Sequence, residues 1–105
     1  MRPNDTGTIV CAMSYFAVQY SYVQDADALD LVRPRHRAFL SSLVGDTLIA
    51  SGPYLEVETP SALLIFSCES QDVLIGQLNS DPFWEEGLIA ERLIQRWNPV
   101  IGILA

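Results

Sequence analysis

The residue best suited to acid–base chemistry is His36, the only histidine in the 105-residue chain. It falls on a helix-spaced apolar stripe with Leu29, Val32, Phe39 and Leu43, so its ring needs a hydrogen-bond partner from elsewhere in the chain. Spacing alone leaves two interpretations open. His36 is either a hydrogen-bonded core histidine or a general base held by a carboxylate.

Asp81 is the candidate partner for His36. It lies directly before Pro82, at a loop-to-helix junction near the end of the predicted sheet. An aspartate at such a junction is a good helix N-cap and needs no catalytic role. Capping and orienting a histidine are compatible, because a carboxylate has several acceptor positions. His36 and Asp81 are therefore the candidate catalytic residues.

Further side chains could contact a substrate. The tripeptide Ser51-Gly52-Pro53 offers a hydroxyl and a glycine that a ligand can approach closely, although it lacks the Gly-x-Ser-x-Gly elbow of a triad serine. Arg33 and Arg37 lie four residues apart beside the apolar stripe. They could bind a carboxylate or phenolate oxygen, or form ordinary solvated helix surface. We predict substrate-binding roles for Arg33, Ser51 and Gly52.

The amino-acid composition argues against several classes of reaction and binding partner. All six basic residues are arginine, so a lysine Schiff-base mechanism is excluded. The net charge of -7 argues against duplex nucleic acid, whose phosphates need a basic protein face. The acidic residues show no metal-ligand spacing with His36, and Cys11 and Cys68 lie in apolar, strand-like contexts. We predict no metal and no cofactor.

Residues 1–12 differ from the rest of the chain. They hold the turn-forming residues Pro3, Asn4 and Gly7, and predict a poorly ordered leader before a domain spanning residues 13–105. No apolar run approaches the roughly 20 residues that span a bilayer, and no signal peptide is visible. We expect a cytoplasmic protein without membrane contact.

Hydrophobic patterning predicts the elements that position these residues. An aromatic and β-branched strand covers residues 15–22, and a helix follows the acidic caps Asp25 and Asp27 and stops at Gly45. Pro34 predicts a short leading turn, with the main helix restarting near it. The remaining elements are a strand over 47–50 ending in a turn or bulge at 51–53, a loop over 54–61, a strand over 62–68, a helix capped by Ser70 with Val73, Leu74 and Leu78 inward, a brief helix from Pro82 to Gly87, and a strand over 88–97.

The predicted order, β-α-β-β-α-β, is that of a ferredoxin-like α+β fold with a four-stranded antiparallel sheet. Its helices cover one face of the sheet only. Because the strands read as apolar on both faces, we expect a homodimer in which a second copy covers the open face.

Four motifs together resemble the YCII-related family over about Met13 to Gly102. They are Arg33-Pro34-x-His36-Arg37-x-Phe39-Leu40, Ser51-Gly52-Pro53, Asp81-Pro82-Phe83 and Trp97-Asn98-Pro99. The resemblance implies a dimeric α/β barrel similar to muconolactone isomerases, with a pocket between helices and sheet. It also implies an active-site dyad at the positions of His36 and Asp81. One branch of the family resembles dehydrochlorinases of chlorinated hydroxyquinols.

Two functions remain as hypotheses. In the first, His36 is the general acid or base of an elimination or isomerisation on a small cyclic or aromatic, hydroxylated or carbonyl substrate, and Asp81 fixes its tautomer. In the second, the chain is a non-catalytic dimeric module that binds a small ligand or a protein. A solvent-accessible cavity lined by both side chains favours the enzyme, and complete burial of the pair without a cavity favours the module.

Overall fold

A computed structural model of the protein describes residues 13–105. The predicted leader, residues 1–12, lies outside the described residues, as does Cys11. No helix of residues 13–105 is long and apolar enough to cross a membrane.

Four strands and three helices form a ferredoxin-like α+β fold, as predicted. In chain order they are β1 (Ser14–Tyr22), α1 (Ala26–Leu43), β2 (Leu48–Pro53), β3 (Ser61–Cys68), α2 (Gln71–Leu78), α3 (Pro82–Glu85) and β4 (Ile89–Trp97). The antiparallel sheet has the order β2-β3-β1-β4. The short helix α3 is the extra helical turn expected before the last strand.

The core lies between one face of this sheet and the helices. Alternate residues of β1, namely Phe16, Val18 and Tyr20, are buried on that face, as the period-two pattern predicted. On β3, Phe66 pairs with Phe16 and Leu64 pairs with Val18, so both strands present their large side chains to the same layer. The helices complete the layer with Leu29, Val32, Leu40, Leu43, Leu74, Leu78 and Phe83.

The predicted break in helix α1 at Pro34 is not present, so that prediction was wrong. The helix runs without interruption over 18 residues, begins at the N-cap Asp25, and contains Pro34 in its interior. Proline removes the hydrogen bond to the carbonyl of Asp30, but both residues are exposed, so water can satisfy that carbonyl. Buried residues on both sides of the proline hold the two halves of α1 against the sheet.

The tripeptide 51–53 also differs from its prediction. It belongs to β2 rather than to a turn, and Ser51, Gly52 and Pro53 pair with β3. An edge strand tolerates proline, because one side of its backbone has no partner strand. The irregularity lies earlier, between Leu48 and Ala50.

The helix α2 has a narrower buried side than predicted. Leu74 and Leu78, four residues apart, are fully buried, whereas Val73 is 47% exposed and its predicted inward orientation was wrong. Ser70 caps the helix as predicted, by accepting a hydrogen bond from the backbone of Val73 at 3.2 Å.

No helix of residues 13–105 covers the opposite face of the sheet. We call it the open face; on β1, β3 and β4 its residues are Tyr15, Ala17, Gln19 and Ser21 of β1, Ser61, Leu63, Ile65 and Ser67 of β3, and Glu91, Leu93, Gln95 and Trp97 of β4. Six of these twelve are apolar and only Glu91 is charged. The face is therefore less apolar than predicted, but nearly uncharged.

Candidate active site

The helices α1 and α3 bring His36 and Asp81 together. Nδ1 of His36 lies 2.8 Å from Oδ1 and 2.9 Å from Oδ2 of Asp81. The histidine is 7% exposed and the aspartate is fully buried. Because an ionised carboxylate only accepts hydrogen bonds, this contact requires a proton on Nδ1, so that Nε2 carries the lone pair whenever the ring is neutral.

Asp81 also caps α3, as predicted. Its Oδ1 accepts a hydrogen bond from the backbone N–H of Phe83 at 2.9 Å, and Pro82 occupies the first turn of the helix. One carboxylate thus starts a helix and holds an imidazole. Both interactions fix its position before any ligand arrives.

The imidazole of His36 packs flat against Phe83. The ring centroids are 4.0 Å apart and the rings are 14° from parallel. With Nδ1 held by Asp81 and one face covered by Phe83, the ring has little freedom to turn. Nε2 makes no hydrogen bond to the described residues, and it is not fully enclosed.

His36 forms part of the wall of an open cavity of about 630 Å³. Asp81 lies behind the histidine and does not line the cavity. The apolar floor consists of Leu40, Leu48, Leu64 and Phe83. A cavity of this size can hold one small organic molecule against the free edge of the imidazole.

The structure brings the residues predicted to bind substrate to this same cavity. Arg33 lines it from α1, and Ser51 and Gly52 line it from β2. Ser51 pairs with the buried Leu64, which places it on the helix-covered side of the sheet. Arg37 also lines the cavity, one helical turn after Arg33. Their substrate-binding roles stay predictions.

Tyr22 is a cavity residue that the sequence analysis did not identify. It lies at the end of β1, on the same side as Tyr20, and its ring meets Phe83 edge to face with centroids 5.3 Å apart. Burial, together with the nearby Asp81 carboxylate, raises the pKa of Tyr22 to about 12, and Arg33 opposes this shift. The phenol is therefore neutral at physiological pH and can donate a hydrogen bond into the cavity. The alternation of β1 placed Tyr22 on the inward face, and this pattern could have identified it as a candidate cavity residue.

Tyr20 lies deeper, beneath this site. Its hydroxyl is buried without a hydrogen-bond partner among the described residues. Burial and the Asp81 carboxylate raise the pKa of Tyr20 well above its ordinary range. The Arg92 guanidinium partly offsets that effect, but it does not meet the geometry of a hydrogen bond to the hydroxyl.

Exposed apolar residues surround the cavity mouth. Val44 follows α1, and Tyr54, Leu55 and Val57 belong to the segment after β2. Within the same segment Glu56 has a φ of 60°, an unusual backbone conformation for a residue other than glycine. The rim of the cavity is therefore largely apolar.

No group of three or more His, Cys, Asp or Glu side chains suited to a metal ion occurs within residues 13–105. The expectation that the protein uses no metal or cofactor stays a prediction.

Known structures share the fold. The 5-chloro-2-hydroxyhydroquinone dehydrochlorinase TftG from Burkholderia phenoliruptrix, solved in complex with 2,5-dihydroxybenzoquinone, is similar with a TM-score of 0.71 and 23% identity; the match covers 80% of this chain and 93% of that one. A NIPSNAP family protein from Agrobacterium tumefaciens gives a TM-score of 0.56 and 19% identity over 85% and 94% of the two chains. At these identities the similarity shows the fold alone. No curated protein sequence matches the chain.

The family itself is shown by sequence. The model of the YCII-related domain matches residues 13–98, most of the chain. The chain belongs to the YCII-related family, as the four motifs indicated.

Proposed function

We propose that the protein is a cofactor-independent enzyme that moves a proton on a small cyclic or aromatic substrate bearing hydroxyl or carbonyl groups. One observation carries this proposal: Asp81 holds His36 through Nδ1, and the other ring nitrogen is left for a ligand in the cavity. A fixed imidazole with a free lone pair is the arrangement that general base catalysis requires.

In the proposed reaction, Nε2 of His36 removes a proton from a carbon or hydroxyl of the substrate. The electron pair left behind either expels a leaving group as an anion, or moves along the ring so that the same proton returns at another position. The first course is an elimination and the second an isomerisation. The Asp81 carboxylate stabilises the imidazolium formed in between, and the neutral Tyr22 phenol donates a hydrogen bond to a substrate oxygen.

The cavity and a relative support the enzyme over a non-catalytic module. The criterion of an accessible cavity is met by His36, although Asp81 lies behind it rather than in the cavity wall. The similar TftG is a dehydrochlorinase of a hydroxylated ring compound, in complex with a dihydroxybenzoquinone. The second fact favours a flat, oxygenated ring as the substrate.

We further propose that the protein acts as a homodimer in which two open faces pack together. The face is half apolar, carries a single charged residue, and includes the partly exposed side chains of Leu93 and Trp97. Burying such a surface against a second copy is favourable.

Proton exchange in heavy water tests the enzymatic proposal without knowledge of the natural substrate. Purified protein is incubated in D₂O with 2,5-dihydroxybenzoquinone and a panel of hydroxylated aromatic and cyclic carbonyl compounds, and loss of C–H signals is followed by proton NMR. We expect at least one compound to exchange faster than in buffer. The His36→Gln variant should reduce that rate by about 10²–10⁴-fold, the usual contribution of a general base.

The matched control is Arg35→Gln, on the same helix but outside the cavity. It should exchange like the wild type. Compounds that bind in the cavity without any enhanced exchange would overturn the enzymatic proposal and favour the binding module.

A further inference from the structure

We propose that the cavity selects small organic anions, and that Arg37 is the residue that confers this selectivity. The inference rests on the proposed function in taking the cavity as the substrate site, and it names the charge class of the substrate. The ligand is a compact, apolar ring that carries a carboxylate, phenolate or enolate oxygen.

The charge of the cavity opposes that of the protein. The chain carries a net charge of -7, with 13 acidic and six basic residues. Two of the six arginines, Arg33 and Arg37, line the cavity, and Glu56 is the only acidic residue among the described residues of its wall. The described wall therefore carries more basic than acidic side chains, whereas the protein as a whole is acidic.

The three arginines of α1 have different partners. Arg33 forms an ion pair with Asp30, and Arg35 lies 4.0 Å from Glu86. Arg37 makes no ion pair or side-chain hydrogen bond with the described residues. It is thus the cavity-lining guanidinium whose donors are free for a ligand.

Helix geometry places the guanidinium beside the reactive histidine. His36 and Arg37 follow Arg33 by three and four positions, about one helical turn, so both lie near the side of α1 that carries Arg33. All three line the cavity. A ligand oxygen bound by Arg37 would therefore hold the rest of the molecule close to Nε2 of His36.

Because salt screens distant charges, the charges that line the cavity dominate its interaction with an ionic ligand. At physiological ionic strength, charges more than about 8 Å apart interact weakly, so the distant carboxylates that give the chain its negative charge do not cancel a guanidinium in contact with the ligand. A charge-assisted hydrogen bond to a carboxylate or phenolate oxygen is also stronger than one to a neutral oxygen.

The apolar floor sets the other half of the ligand's chemistry. Leu40, Leu48, Leu64 and Phe83 give a small inorganic anion little to contact below the arginines. A ring can cover these side chains while its charged oxygen meets Arg37. The combination favours an organic anion over free phosphate or chloride.

Benzoate and benzamide provide the test, because they have nearly the same shape and differ in charge. Binding is measured by isothermal titration calorimetry and by NMR shifts of the His36 ring in the full-length protein. We expect the wild type to bind benzoate at least tenfold more tightly than benzamide. Arg37→Gln should weaken benzoate binding about tenfold or more and leave benzamide binding unchanged.

Arg35→Gln is the matched control, since it makes the same chemical change one residue before His36 and outside the cavity. It should bind both compounds like the wild type. Equal binding of benzoate and benzamide, no saturable benzoate binding at millimolar concentrations, or equal effects of the two arginine substitutions would overturn the proposal.

Failure of this inference is distinguishable from failure of the proposed function. Neither probe undergoes turnover, so the binding comparison does not depend on proton transfer. If the His36→Gln variant keeps the preference for benzoate but exchanges substrate protons at the wild-type rate, only the catalytic proposal is overturned. Loss of the preference in the wild type, with His36-dependent exchange intact, would overturn the anion selectivity alone.

Discussion

Nδ1 of His36 and Oδ1 of Asp81 are 2.8 Å apart, although the two residues lie 45 positions apart in the chain. This contact links the middle of α1 to the start of the short helix α3. Since Asp81 is fully buried, its carboxylate depends on His36 and the backbone of Phe83 for hydrogen bonds. The pair is therefore part of the core as well as the centre of the candidate site.

The first prediction concerns the proton on the imidazole. At a pH high enough for the ring to be neutral, the wild-type protein should show the tautomer protonated on Nδ1, because the carboxylate accepts there. Asp81→Asn should give a mixture of tautomers, since an amide can either accept from or donate to Nδ1. The ¹⁵N–¹H long-range NMR spectrum of the ring reports this directly, and assignment needs no further mutant because the chain has one histidine.

The matched control for that substitution is Asp25→Asn. Asp25 caps α1 in the same way, by accepting from the backbone of Ala28 at 3.1 Å, but has no histidine partner. Both variants retain a capping oxygen, so on capping grounds each should lose about 1 kcal/mol or less of unfolding free energy. An unchanged His36 spectrum in Asp81→Asn would contradict the proposed control of the tautomer.

The extent of sequence-based prediction differs between the fold and the site. Strand alternation and capping signals placed β1, β3 and α3 correctly, because burial on one face and a favourable N-cap are local constraints on the sequence. The break at Pro34 was predicted wrongly because exposure of Asp30 and Pro34, which makes the lost hydrogen bond tolerable, depends on the tertiary packing of α1. The orientation of Val73 was predicted wrongly for the same reason. Adjacent positions on a helix can differ between core and solvent, and tertiary packing determines which of them is buried.

The site was only partly accessible to such reasoning. The residue types and sequence positions of His36 and Asp81 identified them as candidate catalytic residues. Their contact, however, depends on how α1 and α3 pack. The stacking of His36 on Phe83 and the cavity position of Tyr22 carry no motif of their own. They arise where the middle of α1, the end of β1 and the start of α3 meet, and no local sequence pattern encodes that meeting.

The second prediction is that Tyr20→Phe makes the protein more stable. The Tyr20 hydroxyl is buried without a partner among the described residues, and such a group costs about 1–3 kcal/mol. Phenylalanine keeps the ring and removes that cost. Urea unfolding at neutral pH should give an increase of about 1 kcal/mol in unfolding free energy. A decrease of that size would show that the hydroxyl has a partner in solution, such as a bound water.

The third prediction concerns alkaline pH. Above pH about 10 the tyrosines of the unfolded chain lose their protons, while folded Tyr22, with its pKa raised to about 12, keeps its proton. Ionisation then favours the unfolded state, so the stability that is fully present below pH 10 should fall progressively towards pH 12. Tyr20, whose pKa is raised further, extends the loss upward.

Because the chain has no lysine, no amine side chain titrates within this pH window. Urea unfolding at several pH values between 9 and 12 measures the slope. The double variant Tyr20→Phe/Tyr22→Phe should lose stability less steeply than the wild type. Parallel slopes for the two proteins would contradict the assignment of the shifted groups.

The last prediction addresses the open face. Wild-type protein at micromolar concentration should have a mass by light scattering of about twice the 11.7 kDa of one chain. Leu93→Glu should convert it to a folded monomer, because Leu93 is 56% exposed in the single chain and lies on the open face of the edge strand β4. In a symmetric dimer the new carboxylates would be buried without partners, which is costly. Leu31→Glu is the control, since Leu31 is 79% exposed on α1, in the helical layer. The Leu31→Glu variant should remain dimeric. If the wild type has the mass of one chain, or if the Leu93→Glu variant is still a dimer, the open face is not the interface.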